Sequence, residues 1–275
     1  MSLPVETAHD PHHAEPLGLV WLERPLPEGF DSGHCWRFEL SSRGDRVPGR
    51  LLLPSAPPPH PLVLLQHGAG GSIDSPYMQA CAPWVRGGAA VASIDFPLHG
   101  ERVSAKLTER LLTGLGAAER HLDSNLPTAD TLLFVEFARQ AVADLGRTLT
   151  AVGGRDDIDA DRVAYAGFSL GGILGALFCA HDPRPRAAAL ALAGGGFGPA
   201  QVDPCNAVAR IAPRPLLMVN ARHDATVPAA ASEKLFAAAG EPKRIEWFDT
   251  DHSTLPGRAL KEMWSFLRQH LGIDG

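Results

Sequence analysis

Cysteine pairs, long hydrophobic runs and stretches of positive charge are what this sequence lacks. Its 275 residues include four cysteines, Cys35, Cys81, Cys179 and Cys205. No two of them form a C-x-x-C pair, and each sits in an apolar or loop segment. That pattern predicts free thiols in a reducing compartment, with neither a disulfide framework nor a zinc site. No stretch approaches the roughly 18 uninterrupted apolar residues of a membrane span, since even the run from Ala187 to Ala193 stops at Gly194. Residues 1–16 carry three histidines and three acids and no apolar core, so no secretory signal is read there and a cytoplasmic location is expected. Lys and Arg total 25 against 31 Asp and Glu, a net charge of −6. With no basic stripe to offset it, this charge repels a phosphate backbone and excludes nucleic acid as an expected partner. The 28 glycines follow no fixed period, which excludes collagen, and an apolar content of 45% excludes wholesale disorder.

What the sequence does contain is an alternation of short apolar runs with helical stripes. Residues 1–35 read as a polar, proline-punctuated leader, and residues 36–275 as one α/β domain. Trp36 to Leu40, a turn over Ser41 to Gly44, and Gly49 to Pro54 predict a hairpin. Leu62 to Leu65, Ala89 to Phe96, Arg162 to Phe168, Ala187 to Ala193, Pro215 to Asn220 and Arg244 to Phe248 then read as strands, each short, apolar and ended by a Gly, Pro, Asp or Asn signal. Between them Leu133, Phe137, Ala141, Leu145 and Leu149 mark one helical stripe, and Leu260, Met263, Trp264, Leu267 and Leu271 another. Such alternation implies a mostly parallel sheet with helices on both faces. Residues 100–130 are too long for a simple connection, and Val103, Leu107, Leu111 and Leu115 recur every fourth residue within them. They read as a small helical insertion, either packed on the surface or capping a pocket.

Candidate chemistry starts at Gly167-Phe168-Ser169-Leu170-Gly171, a G-x-S-x-G run that follows a predicted strand and opens a predicted helix. A serine at so sharp a turn needs small neighbours, and the turn leaves its hydroxyl exposed at a helix N-terminus. Serine is a weak nucleophile without a base, and the base needs an acid to orient it. His252 and Asp224 follow the predicted strands 244–248 and 215–220, at the C-terminal ends where open α/β sheets collect functional groups. Asp249 and Asp251 are rival acids, disfavoured by their closeness to His252 in sequence. The remaining histidines, His223, His270 and those of the leader among them, are read as solvated or structural. His67-Gly68-Ala69-Gly70-Gly71 follows the strand 62–65 and offers backbone donors for a developing oxyanion. The Leu170 amide is the natural first donor and that of Ala69 the second, with Gly70 as its alternative. The same glycine-rich loop suits a phosphate, but no G-K-[ST] follows it and its spacing departs from a dinucleotide fingerprint.

These motifs, together with Asp95-Phe96-Pro97-Leu98-His99-Gly100-Glu101-Arg102, Val227-Pro228 and Asp251-His252, resemble those of the α/β-hydrolase superfamily, close to bacterial esterases related to dienelactone hydrolase and acetyl esterases. The resemblance covers roughly residues 36 to 272. It implies an eight-stranded sheet, a Ser169, His252, Asp224 triad and no metal or cofactor. Serine at 169 departs from dienelactone hydrolase itself. The function so implied is a carboxylesterase that cleaves small or medium esters through an acyl-enzyme. A peptidase, thioesterase or lactone hydrolase would use the same residues, and a catalytically idle binding protein would share the fold. His67, Gly70, His99, Phe197, Leu111 and Leu115 are candidates to line the site. Asp95, His99 and Arg102 either line it or fix the loop they belong to, the second being favoured because buried polar loops need hydrogen-bond partners.

Overall fold

Apolar runs too short for helices and covered on both faces build the centre of the molecule. The computed structural model describes residues 16–120, 128–196 and 198–273. Among these described residues nine strands form a single sheet: β1 (Val20–Arg24), β2 (His34–Ser42), β3 (Asp45–Leu53), β4 (His60–Gln66), β5 (Ala90–Ile94), β6 (Ile158–Phe168), β7 (Pro185–Ala191), β8 (Leu216–Ala221) and β9 (Lys243–Phe248). Their order is β1-β2-β3-β5-β4-β6-β7-β8-β9. The pairs from β5 through β4 to β9 are parallel, and those joining β1, β2, β3 and β5 are antiparallel. Every residue of β4 and of β5 is buried, as expected of parallel strands with helices on both sides.

The expected eight strands become nine because the segment read as leader contributes β1. Its five residues pair in regular register with β2, and Trp21 packs on Phe38 with ring centroids 5.1 Å apart. The run Val-Trp-Leu-Glu-Arg shows no two-residue alternation, and its Val20 and Leu22 face solvent, so no strand signal marks it. The hairpin that follows turns at Arg43 and Gly44, whose φ values of 52° and 79° are those of a two-residue type I′ loop.

Among the described residues seven α-helices cover the sheet: α1 (Pro76–Gln79), α2 (Ala82–Arg86), α3 (Ala105–Arg120), α4 (Thr128–Gly153), α5 (Leu170–His181), α6 (Ala229–Ala238) and α7 (Gly257–Leu271). Two apolar layers result. Leu62 and Leu64 of β4 pack with side chains from α3, α4, α5 and α6, while Val63 and Leu65 face the layer formed with α1, α2 and α7. The alternation of side chains along one strand thus feeds both layers. Among the described residues no helix is long and apolar enough to cross a membrane, and all four cysteines are unpaired.

The 100–130 stretch does hold a helix, α3, but its stripe is divided. Leu111 is fully buried and Leu115 nearly so, both packed in the α4 layer, whereas Val103 and Leu107 are exposed. Steps of four residues advance 400° around a 3.6-residue helix. The stripe therefore rotates off the buried face, and Val103 lies before α3 begins.

Candidate active site

Three strand ends converge on one point. Ser169 lies between β6 and α5 with φ 53° and ψ −116°, a conformation that side chains other than glycine rarely adopt. Its glycine neighbours permit the turn. A Cβ on Gly171 would stand 2.7 Å from the Gln66 and His67 carbonyl oxygens, and one on Gly172 would stand 2.9 Å from the Ala193 Cβ. The Ser169 amide donates to the Ala191 carbonyl at the end of β7 (2.8 Å), which ties the turn to the sheet.

Ser169 Oγ is 2.9 Å from His252 Nε2, and His252 Nδ1 is 2.7 Å from Asp224 Oδ2. The other Asp224 oxygen accepts the backbone amides of Thr226 (2.8 Å) and Val227 (2.7 Å). Both carboxylate oxygens are therefore held, and the side chain is only 2% exposed. The rival acids are engaged elsewhere. Asp249 pairs with His223 Nε2 at 2.6 Å in solvent. Asp251 accepts the Ser253 amide (2.7 Å), and that amide lowers its carboxyl from the usual value. Of the other histidines, His270 packs edge-on against Phe266.

The loop after β4 passes beside the serine: a Cβ on Gly68 would lie 3.2 Å from that of Ser169 and 3.8 Å from its hydroxyl. His67 shapes this loop. Its Nε2 accepts the Phe96 amide (3.2 Å), which leaves Nδ1 as the protonated nitrogen, donating to the Gly68 carbonyl (2.8 Å). Burial pushes the His67 imidazole down to about 4, so it stays neutral in this role. The Gly68 carbonyl also accepts the Gly71 amide (3.1 Å). In a planar trans peptide the carbonyl and the following N–H point opposite ways, so pinning the Gly68 oxygen also aims the Ala69 N–H. Leu170 opens α5, and its amide is one of the donors that every helix start leaves free. Gly70, at φ 70°, has open space where a side chain would stand.

Asp95, His99 and Arg102 brace the loop after β5. The two Asp95 oxygens accept the Ile73 and Glu101 amides, each at 2.9 Å. Arg102 reaches the Asp95 carbonyl at 3.1 Å and the buried carboxylate of Asp144 at 2.6 Å. His99 Nδ1 donates to the Pro97 carbonyl, and its ring lies between those of His67 and Phe137. Among the candidates to line the site, His67 and His99 are each 1% exposed and Leu111 is 0% exposed. Side chains so covered hold the loop and walls around the triad in place, as the nearly buried Ser169 and Asp224 side chains are themselves held. Phe197 lies outside the described residues. Sequence reasoning missed one neighbour: Tyr77 of α1 lies flat against Phe168 and its hydroxyl donates to the Ser253 carbonyl. Only the Ser75-Pro76 step, a common helix start, hints at the turn it occupies.

A nine-stranded sheet with a serine at the β6–α5 turn, an acid after β8 and a histidine after β9 is the architecture of the α/β-hydrolase fold, and the chain has that fold. Solved structures with the same architecture include a cold-adapted esterase from an Arctic intertidal metagenomic library (22% identity, 91% of this chain and 99% of that one, TM-score 0.68). An acetyl xylan esterase from Paenibacillus sp. R4 superposes with a TM-score of 0.73 at 21% identity over 94% of this chain and 90% of that one. Acetyl xylan esterase 1 from Thermoanaerobacterium sp. JW/SL YS485 does so with a TM-score of 0.68 at 18% identity over the same shares. No family model and no curated protein matches the sequence.

Proposed function

We propose that the chain is a metal-independent serine esterase acting on small or medium carboxylic esters in the cytoplasm, through an acyl-enzyme on Ser169. The observation that carries this is the continuous hydrogen-bonded series from Ser169 Oγ through His252 to Asp224. In the first step Ser169 Oγ attacks the ester carbonyl carbon while His252 Nε2 takes its proton. Asp224 holds the imidazole with Nδ1 protonated and stabilises the imidazolium that forms. The Leu170 and Ala69 amides receive the oxyanion. Collapse expels the alcohol, which leaves with the proton from His252. Water then attacks the acyl carbon by the same route, releasing the carboxylic acid and restoring the serine. The solved structures above bear the names of esterases, which favours esters over amides or thioesters as substrates. The four unpaired thiols support a reducing compartment.

A fluorophosphonate probe should label Ser169 alone, read by peptide mass spectrometry, and Ser169→Ala should lose both label and turnover. A graded panel of p-nitrophenyl esters with matching amides and thioesters should show ester preference. Labelling that survives Ser169→Ala removes the serine from its role. Absence of labelling and turnover in folded wild type leaves a binding protein.

A further inference from the structure

Adjacent strands in a sheet lie about 4.8 Å apart. β6, which delivers Ser169, and β9, which precedes His252, are separated by β7 and β8, so their ends stand about 14 Å apart. The contact of 2.9 Å between Ser169 Oγ and His252 Nε2 is therefore closed by a loop that reaches back across two strands. That loop is held largely by its own bonds. Thr250 Oγ1 meets Thr254 at 2.7 Å, and the Ser253 amide donates to Asp251. Toward the acid, the His223 amide donates to the Thr250 carbonyl (3.0 Å).

Toward the nucleophile the tie comes from another element, α1. Tyr77 stands in the single-turn α1, which follows the Gly68–Gly71 loop. Its ring stacks on Phe168, the residue before Ser169, with centroids 4.7 Å apart and planes 14° apart. Its hydroxyl donates to the carbonyl of Ser253, the residue after His252, at 3.2 Å. One side chain thus touches the chain neighbours of both the nucleophile and the base.

We propose that Tyr77 is a positioning residue that sets the spacing between the Ser169 turn and the His252 loop. The proposal rests on the Ser169, His252, Asp224 assignment above and adds to it a residue that acts through the chain neighbours of the serine and the histidine. Partial burial raises the Tyr77 hydroxyl from its ordinary value, so it remains a donor wherever an esterase would work. Small displacements matter here, because a reacting group moved by about 1 Å can cost about 100-fold in rate.

Tyr77→Phe keeps the stacked ring and removes the hydroxyl's ties to Ser253 and Leu255, whereas Tyr77→Leu removes both ring and ties. Competent sites are titrated with the fluorophosphonate probe, and the acylation rate per titrated site is measured with p-nitrophenyl acetate by pre-steady-state kinetics, alongside the substrate dissociation constant of that step and the thermal midpoint. Tyr77→Phe is expected to acylate about tenfold more slowly and Tyr77→Leu about 100-fold more slowly, with the dissociation constant shifted less than about twofold. A wild-type rate per titrated site in Tyr77→Phe overturns the proposal. So does a loss confined to the thermal midpoint and the titratable fraction, which marks a purely structural side chain. Should Tyr77→Leu fail to fold, Tyr77→Phe alone decides. If Ser169→Ala stays active, the triad falls and the proposal with it. If Ser169 labels normally and Ser169→Ala is dead while Tyr77→Phe is unaffected, Tyr77 alone is refuted.

Discussion

Asp224 has both oxygens committed, one to His252 and the other to two backbone amides, so its replacement tests orientation with little change in packing. Asp224→Asn should fold normally and lose about 10³ to 10⁴ in kcat, because an amide turned to keep the Thr226 and Val227 bonds presents its NH₂ to His252. Asp249→Asn and Asp251→Asn, both on exposed side chains, should stay within about fivefold in the same steady-state assay. His67 gives a second prediction at this scale. Burial holds its folded value at about 4 against 6.5 for a free imidazole, so between those values the unfolded chain binds the extra proton. Stability is therefore full above pH 6.5, falls as pH drops toward 4 and levels below it, a loss on the order of 3 kcal/mol from this residue. Denaturant titrations from pH 8 to 4 should show this slope, reduced by about one proton in His67→Asn. The candidate site was legible in the sequence because G-x-S-x-G and the two loop residues each follow an apolar strand. The choice among three aspartates turned on how close Asp249 and Asp251 lie to His252 in sequence, and the loops that close the geometry carried no signal.

At the scale of elements, α3 separates what periodicity can reveal from what it cannot. Leu133 to Leu149 lie on a helix flanked by the sheet and its neighbours, so a drifting four-residue stripe stays covered. On α3 the same spacing carries Leu111 and Leu115 inward and leaves Leu107 in water. Leu111→Ala with Leu115→Ala should lower stability by about 2 to 5 kcal/mol per fully buried leucine, measured by denaturant unfolding. The ratio of kcat/KM for butyrate and octanoate esters should hold. A shift of that ratio by about tenfold would instead place the α3 face against the acyl chain. The interior strands were readable because burial on both faces demands continuous apolar runs, as in Leu62 to Leu65. β1 escaped notice because an edge strand buries one face only, and here a single tryptophan does most of that packing.

For the whole molecule, β1 is a distant support. Trp21 meets Phe38, and the Arg155 guanidinium sits 4.5 Å from the Trp21 ring, five strands from β6. Removing residues 1–24 should cost about 2 to 3 kcal/mol of stability and leave the rate per titrated serine unchanged, as differential scanning calorimetry and burst kinetics would show. The sheet order has a different consequence at the other end of the chain. Ser169 and His252 stand 83 positions apart, and their meeting requires β6, β7, β8 and β9 to be aligned side by side. Contacts so remote along the chain are slow to form, because a long loop must close before anything rewards it. Helices such as α4 can assemble in the meantime. For the proposed esterase, recovered turnover is thus a clock that starts late: during refolding the ellipticity should return first, and hydrolysis should begin only when the far strands have found their neighbours.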